Sequence, residues 1–170
     1  MQESRQFEPE ITAFYCIYCG YMAADTAGAL GMQYPANVKF VRLPCSGKTD
    51  VRYVLEAFEQ GADGVYVVAC PLGNCHHVRG NERGQARVER ARRILEEIGL
   101  EGERLDIFFM SGSQAQAFAL AAHQMTERIR RLGPSPLKKS ALNGETEGKA
   151  RIDLEEESGF RGRSVQTRDK

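Results

Sequence analysis

The run Gly64-Val65-Tyr66-Val67-Val68-Ala69 constrains the fold more than any other stretch of this chain. It is nearly continuous in apolar and β-branched residues, which suits a strand buried on both faces. Such a strand needs helices above and below it, the arrangement of an open parallel α/β sheet. Three further runs read as strands. Glu10-Ile11-Thr12-Ala13-Phe14-Tyr15 is short, β-rich and ends at Cys16. Val38-Lys39-Phe40-Val41-Arg42-Leu43 alternates apolar and polar residues until Pro44 stops it. Leu105-Asp106-Ile107-Phe108-Phe109-Met110 is the last.

Helical patterns lie between these runs. Tyr21 to Leu30 is Ala-rich and closes near Gly31. Thr49 is placed to cap a second helix, with Asp50 favouring its N-terminus, Val51, Val54, Leu55 and Phe58 on one face, and Gly61 ending it. A glycine-containing loop then runs to about Gly84. The spacing of Val88, Ala91, Leu95 and Ile98 predicts a third helix from Gln85 to Ile98, with Glu89 and Arg93 as an i,i+4 pair and Gly99 as its stop. A fourth begins at Ser113 and carries Ala115, Phe118, Ala122, Met125, Ile129 and Leu132 on one stripe.

Alternating strands and helices imply right-handed βαβ crossovers with helices on both faces. The expected body is a small flavodoxin-like, doubly wound parallel sheet of about four strands over residues 10–133. Residues 1–9 form an N-terminal extension. Gly133-Pro134-Ser135-Pro136 is a hard stop, and 134–170 is polar enough to predict a disordered tail.

A length of 170 residues allows one domain with a real core. The formal net charge of +0 supplies no global field for nucleic acid. No stretch approaches the roughly 20 apolar residues of a membrane helix. Met1-Gln2-Glu3-Ser4-Arg5 has no secretory character, so a cytoplasmic setting is expected. Thiols stay reduced there, so clustered cysteines point to metal or redox chemistry rather than structural disulfides.

The five cysteines all fall where a predicted strand gives way to a loop. Cys16 and Cys19 make a C-x-x-C, Cys45 follows Pro44, and Cys70 and Cys75 make a C-x4-C around Pro71-Leu72-Gly73-Asn74. Strand ends lie side by side in an open α/β sheet, so these thiols converge and form a soft metal site. Both spacings occur in iron–sulfur proteins, and Gly73 lets its loop curl so that both sulfurs face one cluster. Zinc is the alternative metal, in an interaction module without redox function. A dithiol oxidoreductase using Cys16 and Cys19 is a third reading.

Other motifs carry less. Gly47-Lys48-Thr49 lacks the upstream glycine of a phosphate-binding loop, where Arg42 stands. His76 and His77 follow Cys75 and are read as neighbours of the site or exposed loop residues, although a mixed Cys/His ligand set is open to them. His123 is read as structural. No Ser/His/Asp set and no carboxylate pair sits at the strand ends, though Asp25 is close by. Thiols without an acid–base set favour electron transfer over bond-making.

Phe14-Tyr15-Cys16-Ile17-Tyr18-Cys19-Gly20-Tyr21 and Ala24-Asp25-Thr26-Ala27-Gly28 resemble the opening of the delta-subunit family of methyl-viologen-reducing hydrogenases. Pro44-Cys45-Ser46-Gly47, Gly61-Ala62-Asp63-Gly64-Val65, Cys70 to His76, Gly80-Asn81 and Gly99 to Leu105 extend the likeness over about residues 11–133. The resemblance implies an electron-transfer subunit carrying one 2Fe–2S cluster on four of Cys16, Cys19, Cys45, Cys70 and Cys75. It implies relay between a hydrogenase, or another dehydrogenase module, and a flavin-containing heterodisulfide reductase-like partner. It implies membership of an oxidoreductase complex, with no substrate turnover by the isolated chain.

Overall fold

The computed structural model describes residues 7–138. The chain runs β1 (Ile11–Cys16), α1 (Cys19–Ala29), β2 (Val38–Leu43), α2 (Val51–Glu59), β3 (Gly64–Ala69), α3 (Gly80–Glu97), β4 (Leu105–Phe109) and α4 (Ala115–Leu132). Short 3-10 turns occupy Ser46–Lys48 and Gly102–Arg104. The strands form one parallel sheet in the order β2-β1-β3-β4. This is the doubly wound α/β architecture expected from the alternating pattern.

Every residue of β3 is buried. Its side chains alternate between two cores, as the period of a strand requires. Tyr66 and Val68 pack with Ala23 and Ala27 of α1 and Phe118, Ala122 and Met125 of α4. Val65 and Val67 pack with Val54 and Phe58 of α2 and Val88, Ala91 and Leu95 of α3. Each fully buried valine or leucine contributes about 1.5–3 kcal/mol of hydrophobic stabilisation.

All four helix starts differ from the sequence expectation, and α1 begins at Cys19 rather than Tyr21. Asp50, not Thr49, caps α2, its carboxylate accepting the Arg52 N–H at 3.0 Å. Thr49 is extended and closes the preceding 3-10 turn through its N–H to Ser46. α3 begins at Gly80 rather than Gln85, because Gly84 packs against the main chain of Ser46 and Asn81 is buried in hydrogen bonds to the neighbouring loop. Tertiary contact thus sets a start that helix propensity disfavours. α4 begins at Ala115, after Ser111 and Gln114 form a turn in which the Gln114 side chain accepts the Ser111 N–H.

The edge of the sheet where the strands begin is tied by two buried charged residues. The Asp63 carboxylate accepts from the Glu10 N–H at 2.8 Å, the Ser135 N–H at 2.9 Å and Lys138 Nζ at 2.8 Å. Arg104, fully buried, donates to the Glu101 carboxylate at 2.6 Å and to the carbonyls of Asp63 and Gly133 at 3.1 and 2.9 Å. Ordered packing therefore continues past Gly133-Pro134, with Ser135 buried and a helical turn at 136–138. The tail expected to be disordered lies, beyond residue 138, outside the described residues.

Arg104→Met is expected to leave the main-chain carbonyls of Asp63, Leu132 and Gly133 and the Glu101 carboxylate without this donor. Urea denaturation should show a loss of about 3 kcal/mol or more, since each abandoned buried acceptor costs about 1–3 kcal/mol.

Candidate metal centre

Cys16 is the last residue of β1, and Cys70 directly follows β3. These central strands are neighbours, with Tyr15 opposite Val68. The chain leaves β1 toward β2 on one side and β3 toward β4 on the other, so a crevice opens between their ends. There the two sulfurs lie 3.7 Å apart, both buried. The Gly20 N–H donates to the Cys16 sulfur at 3.3 Å from the first turn of α1. That turn sits close to β1, because a Cβ on Gly20 would lie 3.0 Å from Tyr15 Cβ. Cys19, the first residue of α1, is half-buried.

Cys45 and Cys75 form a second group. Cys45 caps the 3-10 turn, its sulfur accepting the Gly47 N–H at 3.4 Å. The Arg87 guanidinium donates to the Gly47 carbonyl and fixes that turn on α3. Gly80 completes the pocket. A Cβ there would lie 2.2 Å from the Cys45 sulfur and 3.1 Å from the Cys75 sulfur. The first residue of α3 therefore leaves the space that both sulfurs use. Gly73, at φ 77°, turns the C-x4-C loop in the left-handed region where glycine is favoured. The buried Asn81 amide anchors the same loop, donating to the carbonyls of Cys70 at 3.1 Å and Pro71 at 2.6 Å.

The thiols differ in acidity. Hydrogen bonding from Cys16 is the main reason the Cys70 thiol is pushed down to about 5, with Cys19 adding to it. Cys16 moves up, first because it is the donor to Cys70 and then through burial. Burial is the first cause of the rise of Cys19 to about 11, and also of the rise of Cys45. Cys70 is thus the sulfur that first becomes a thiolate, and a thiolate is the form that binds metal.

All five thiols are free and fall into two adjoining groups, Cys16–Cys19–Cys70 and Cys45–Cys75. Among the described residues, no three His, Cys, Asp or Glu side chains converge on a single ion-sized point. The 3.7 Å between Cys16 and Cys70 is close to the edge of a sulfur tetrahedron, about 3.8 Å for metal–sulfur bonds of about 2.3 Å. The donor set, its main-chain N–H groups and the space at Gly80 fit a sulfur-ligated metal group.

The other candidates lie at or beyond the rim. His76, His77 and Asp25 are exposed. His123, also exposed, contacts the Gln33 carbonyl at 3.3 Å. Gly47-Lys48-Thr49 serves the Cys45 turn. Sequence reasoning assigned no role to Gly80, Asn81 or Arg87. Only the Gly80-Asn81 pair carried a signal, as part of the family likeness.

Comparison with known proteins places this geometry. Residues 11–133 match the family described as methyl-viologen-reducing hydrogenase, delta subunit. The vhu iron–sulfur subunit of the F420-non-reducing hydrogenase of Methanocaldococcus jannaschii is 50% identical over 131 residues, covering 77% of this chain and 98% of that protein. The corresponding iron–sulfur subunit of the F420-non-reducing hydrogenase of Archaeoglobus profundus is 42% identical over 131 residues, covering 77% of this chain and 96% of that protein. One of the subunits of the ferredoxin/F(420)H(2)-dependent CoB-CoM heterodisulfide reductase of Methanosarcina acetivorans is 33% identical over 126 residues, which are 74% of this chain and only 16% of that protein.

Gly80→Ala should push a methyl group into the space of the Cys45 and Cys75 sulfurs. The expected result is a protein with wild-type far-UV circular dichroism that has lost most of its bound metal, measured by elemental analysis per folded chain.

Proposed function

We propose that this chain, which belongs to the methyl-viologen-reducing hydrogenase delta-subunit family, is an electron-transfer subunit that binds one 2Fe–2S cluster through four of Cys16, Cys19, Cys45, Cys70 and Cys75. The observation that carries this reading is the meeting of all three cysteine-bearing loops at the β1/β3 crevice. When bound, such a cluster would accept and release single electrons. The chain's own residues supply the ligands, the N–H groups of Gly20 and Gly47 beside two of the sulfurs, and the cavity left by Gly80. Hydrogen bonds to the sulfurs and the degree of burial tune the potential of such centres.

Two groups of thiols suit a group with more than one metal better than one tetrahedral zinc, which needs four donors around a single point. The pairing of the Cys16 sulfur with that of Cys70 also weakens the reading of Cys16 and Cys19 as a dithiol pair. Relatives named as iron–sulfur subunits of hydrogenases support a donor of that kind. A heterodisulfide reductase polypeptide that contains a similar segment within its own chain supports such a protein as the partner on the other side. This chain would then act inside an oxidoreductase complex in the cytoplasm, with substrate turnover left to its neighbours. Among the described residues, no helix is long and apolar enough to cross a membrane.

Anaerobic purification with iron, zinc and acid-labile sulfide assays tests the proposal. About two irons and two sulfides per chain are expected, with an S = 1/2 EPR signal after reduction with dithionite. Cys70→Ser or Cys75→Ser should abolish or shift the visible absorption. Stoichiometric zinc without sulfide, or unchanged absorption and iron content in every single Cys→Ser variant, would overturn the reading.

A further inference from the structure

Two aromatic residues beside the thiols have no part in the reading above. Tyr18 lies between Cys16 and Cys19 and occupies the N-cap of α1, yet its side chain caps nothing. Its ring stacks on His76 instead, with centroids 3.8 Å apart and planes inclined by 23°. His77 stands edge-on to both rings, at 5.5 Å from Tyr18 and 5.3 Å from His76. The stack therefore joins the C-x-x-C loop to the C-x4-C loop across the mouth of the site.

An exposed loop histidine is not normally held in one place. Here the loop itself folds it back. The Val78 N–H donates to the Cys75 carbonyl at 2.9 Å, and the Arg79 N–H to the His77 carbonyl at 2.7 Å. Val78 takes φ 61° while its side chain is 79% exposed, so no packing of that side chain accounts for the conformation. A β-branched residue in the left-handed region is strained and persists only where the surroundings enforce it. The turn that enforces it is the one that sets His76 over Tyr18.

The two loops that the stack joins carry the Cys16 and Cys70 sulfurs, and the Gly20 N–H, two residues after Tyr18, donates to the first of them at 3.3 Å. These are the two sulfurs at 3.7 Å. Reducing a cluster adds negative charge, so N–H groups aimed at its sulfurs stabilise the reduced form and raise the potential.

We propose that the stacked rings of Tyr18 and His76 are a positioning clasp, which locks the Cys16 and Cys70 loops together so that the paired sulfurs keep their separation and the Gly20 N–H stays on the Cys16 sulfur. The clasp rests on the iron–sulfur reading and adds to it two residues that are not ligands. It sets a measurable property of the centre, its potential, through contacts that never touch metal.

The test uses the full chain, loaded anaerobically, in wild-type form and as Tyr18→Ala, His76→Ala, Tyr18→Phe and the double alanine variant. Two quantities are read: the reduction potential, by EPR-monitored titration, and the rate of iron release to a ferrous chelator. Each alanine variant should show a more negative potential and faster iron release, by about threefold to tenfold, the factor that matches the strength of an aromatic pair. Tyr18→Phe keeps the ring and should behave as wild type. The double variant should match the worse single variant, because the two residues act through one contact. His76 is exposed, so its variant decides the matter even if Tyr18→Ala fails to fold. The clasp is overturned if His76→Ala leaves both quantities unchanged, if Tyr18→Phe is as damaging as Tyr18→Ala, or if the two alanine effects multiply. Wild-type protein without iron and sulfide overturns the cluster reading, and the clasp with it.

Discussion

The parallel pairing of β1 with β3 is the constraint on which the rest depends. It aligns the ends of two strands that are distant in sequence and makes Cys16 and Cys70 neighbours. Because β1 connects toward one edge of the sheet and β3 toward the other, a crevice opens between their ends. Helices cover both faces. The crevice is therefore open only where the strands end, and the loops that follow β1, β2 and β3 each bring cysteine to it.

The two ends of the sheet are built for different tasks. At one end, Asp63 and Arg104 bond to main-chain groups just before β1 and β3 and at the end of α4 and beyond it, and to the side chains of Lys138 and Glu101. That network fixes the strand starts and leaves the opposite end free to hold groups chosen for chemistry. There the stabilising contacts are close approaches that only glycine permits. Gly20 lets α1 begin against β1, Gly47 and Gly84 let the Cys45 turn meet α3, and Gly80 keeps a methyl group away from two sulfurs. The site is a set of voids as much as a set of ligands.

Much of this was legible in the sequence, for definite reasons. β3 announced itself because a doubly buried strand has no polar face to blur its pattern, and its bounds are those of the apolar run. The cysteines were legible as a group because each C-x-x-C, C-x4-C or single cysteine begins at or follows the end of a strand. Their grouping was not. Spacing along the chain suggests Cys16 with Cys19, whereas strand order puts Cys16 beside Cys70, and nothing local in the sequence specifies that order. The early start of α3 was hidden for a related reason. Gly80, Asn81 and Gly84 read as loop residues, and their helical state depends on Cys45, Ser46 and Cys70, which lie elsewhere in the chain. The contact of Tyr18 with His76 joins two loops without periodicity, so no pattern marks it.

The electrostatics of the site follow from the same arrangement. Burial holds Cys19 and Cys45 protonated, hydrogen bonding to Cys70 does so for Cys16, and Cys70 takes the one favoured negative charge. A sulfur-ligating metal group would displace the protons and supply the positive charge that the thiolates otherwise lack. The histidines at the rim and the nearby Asp25 are exposed, so among the described residues the crevice is lined by sulfur donors and main-chain N–H groups rather than by side chains placed for acid–base chemistry. The sulfurs also differ in depth. Cys16, Cys45 and Cys70 are buried, whereas Cys19 and Cys75 are half-buried. A charge held among them has a sheltered side, where the surroundings change little on reduction, and an outer side within reach of another protein. That asymmetry suits passing an electron, which requires proximity and small reorganisation rather than a substrate pocket.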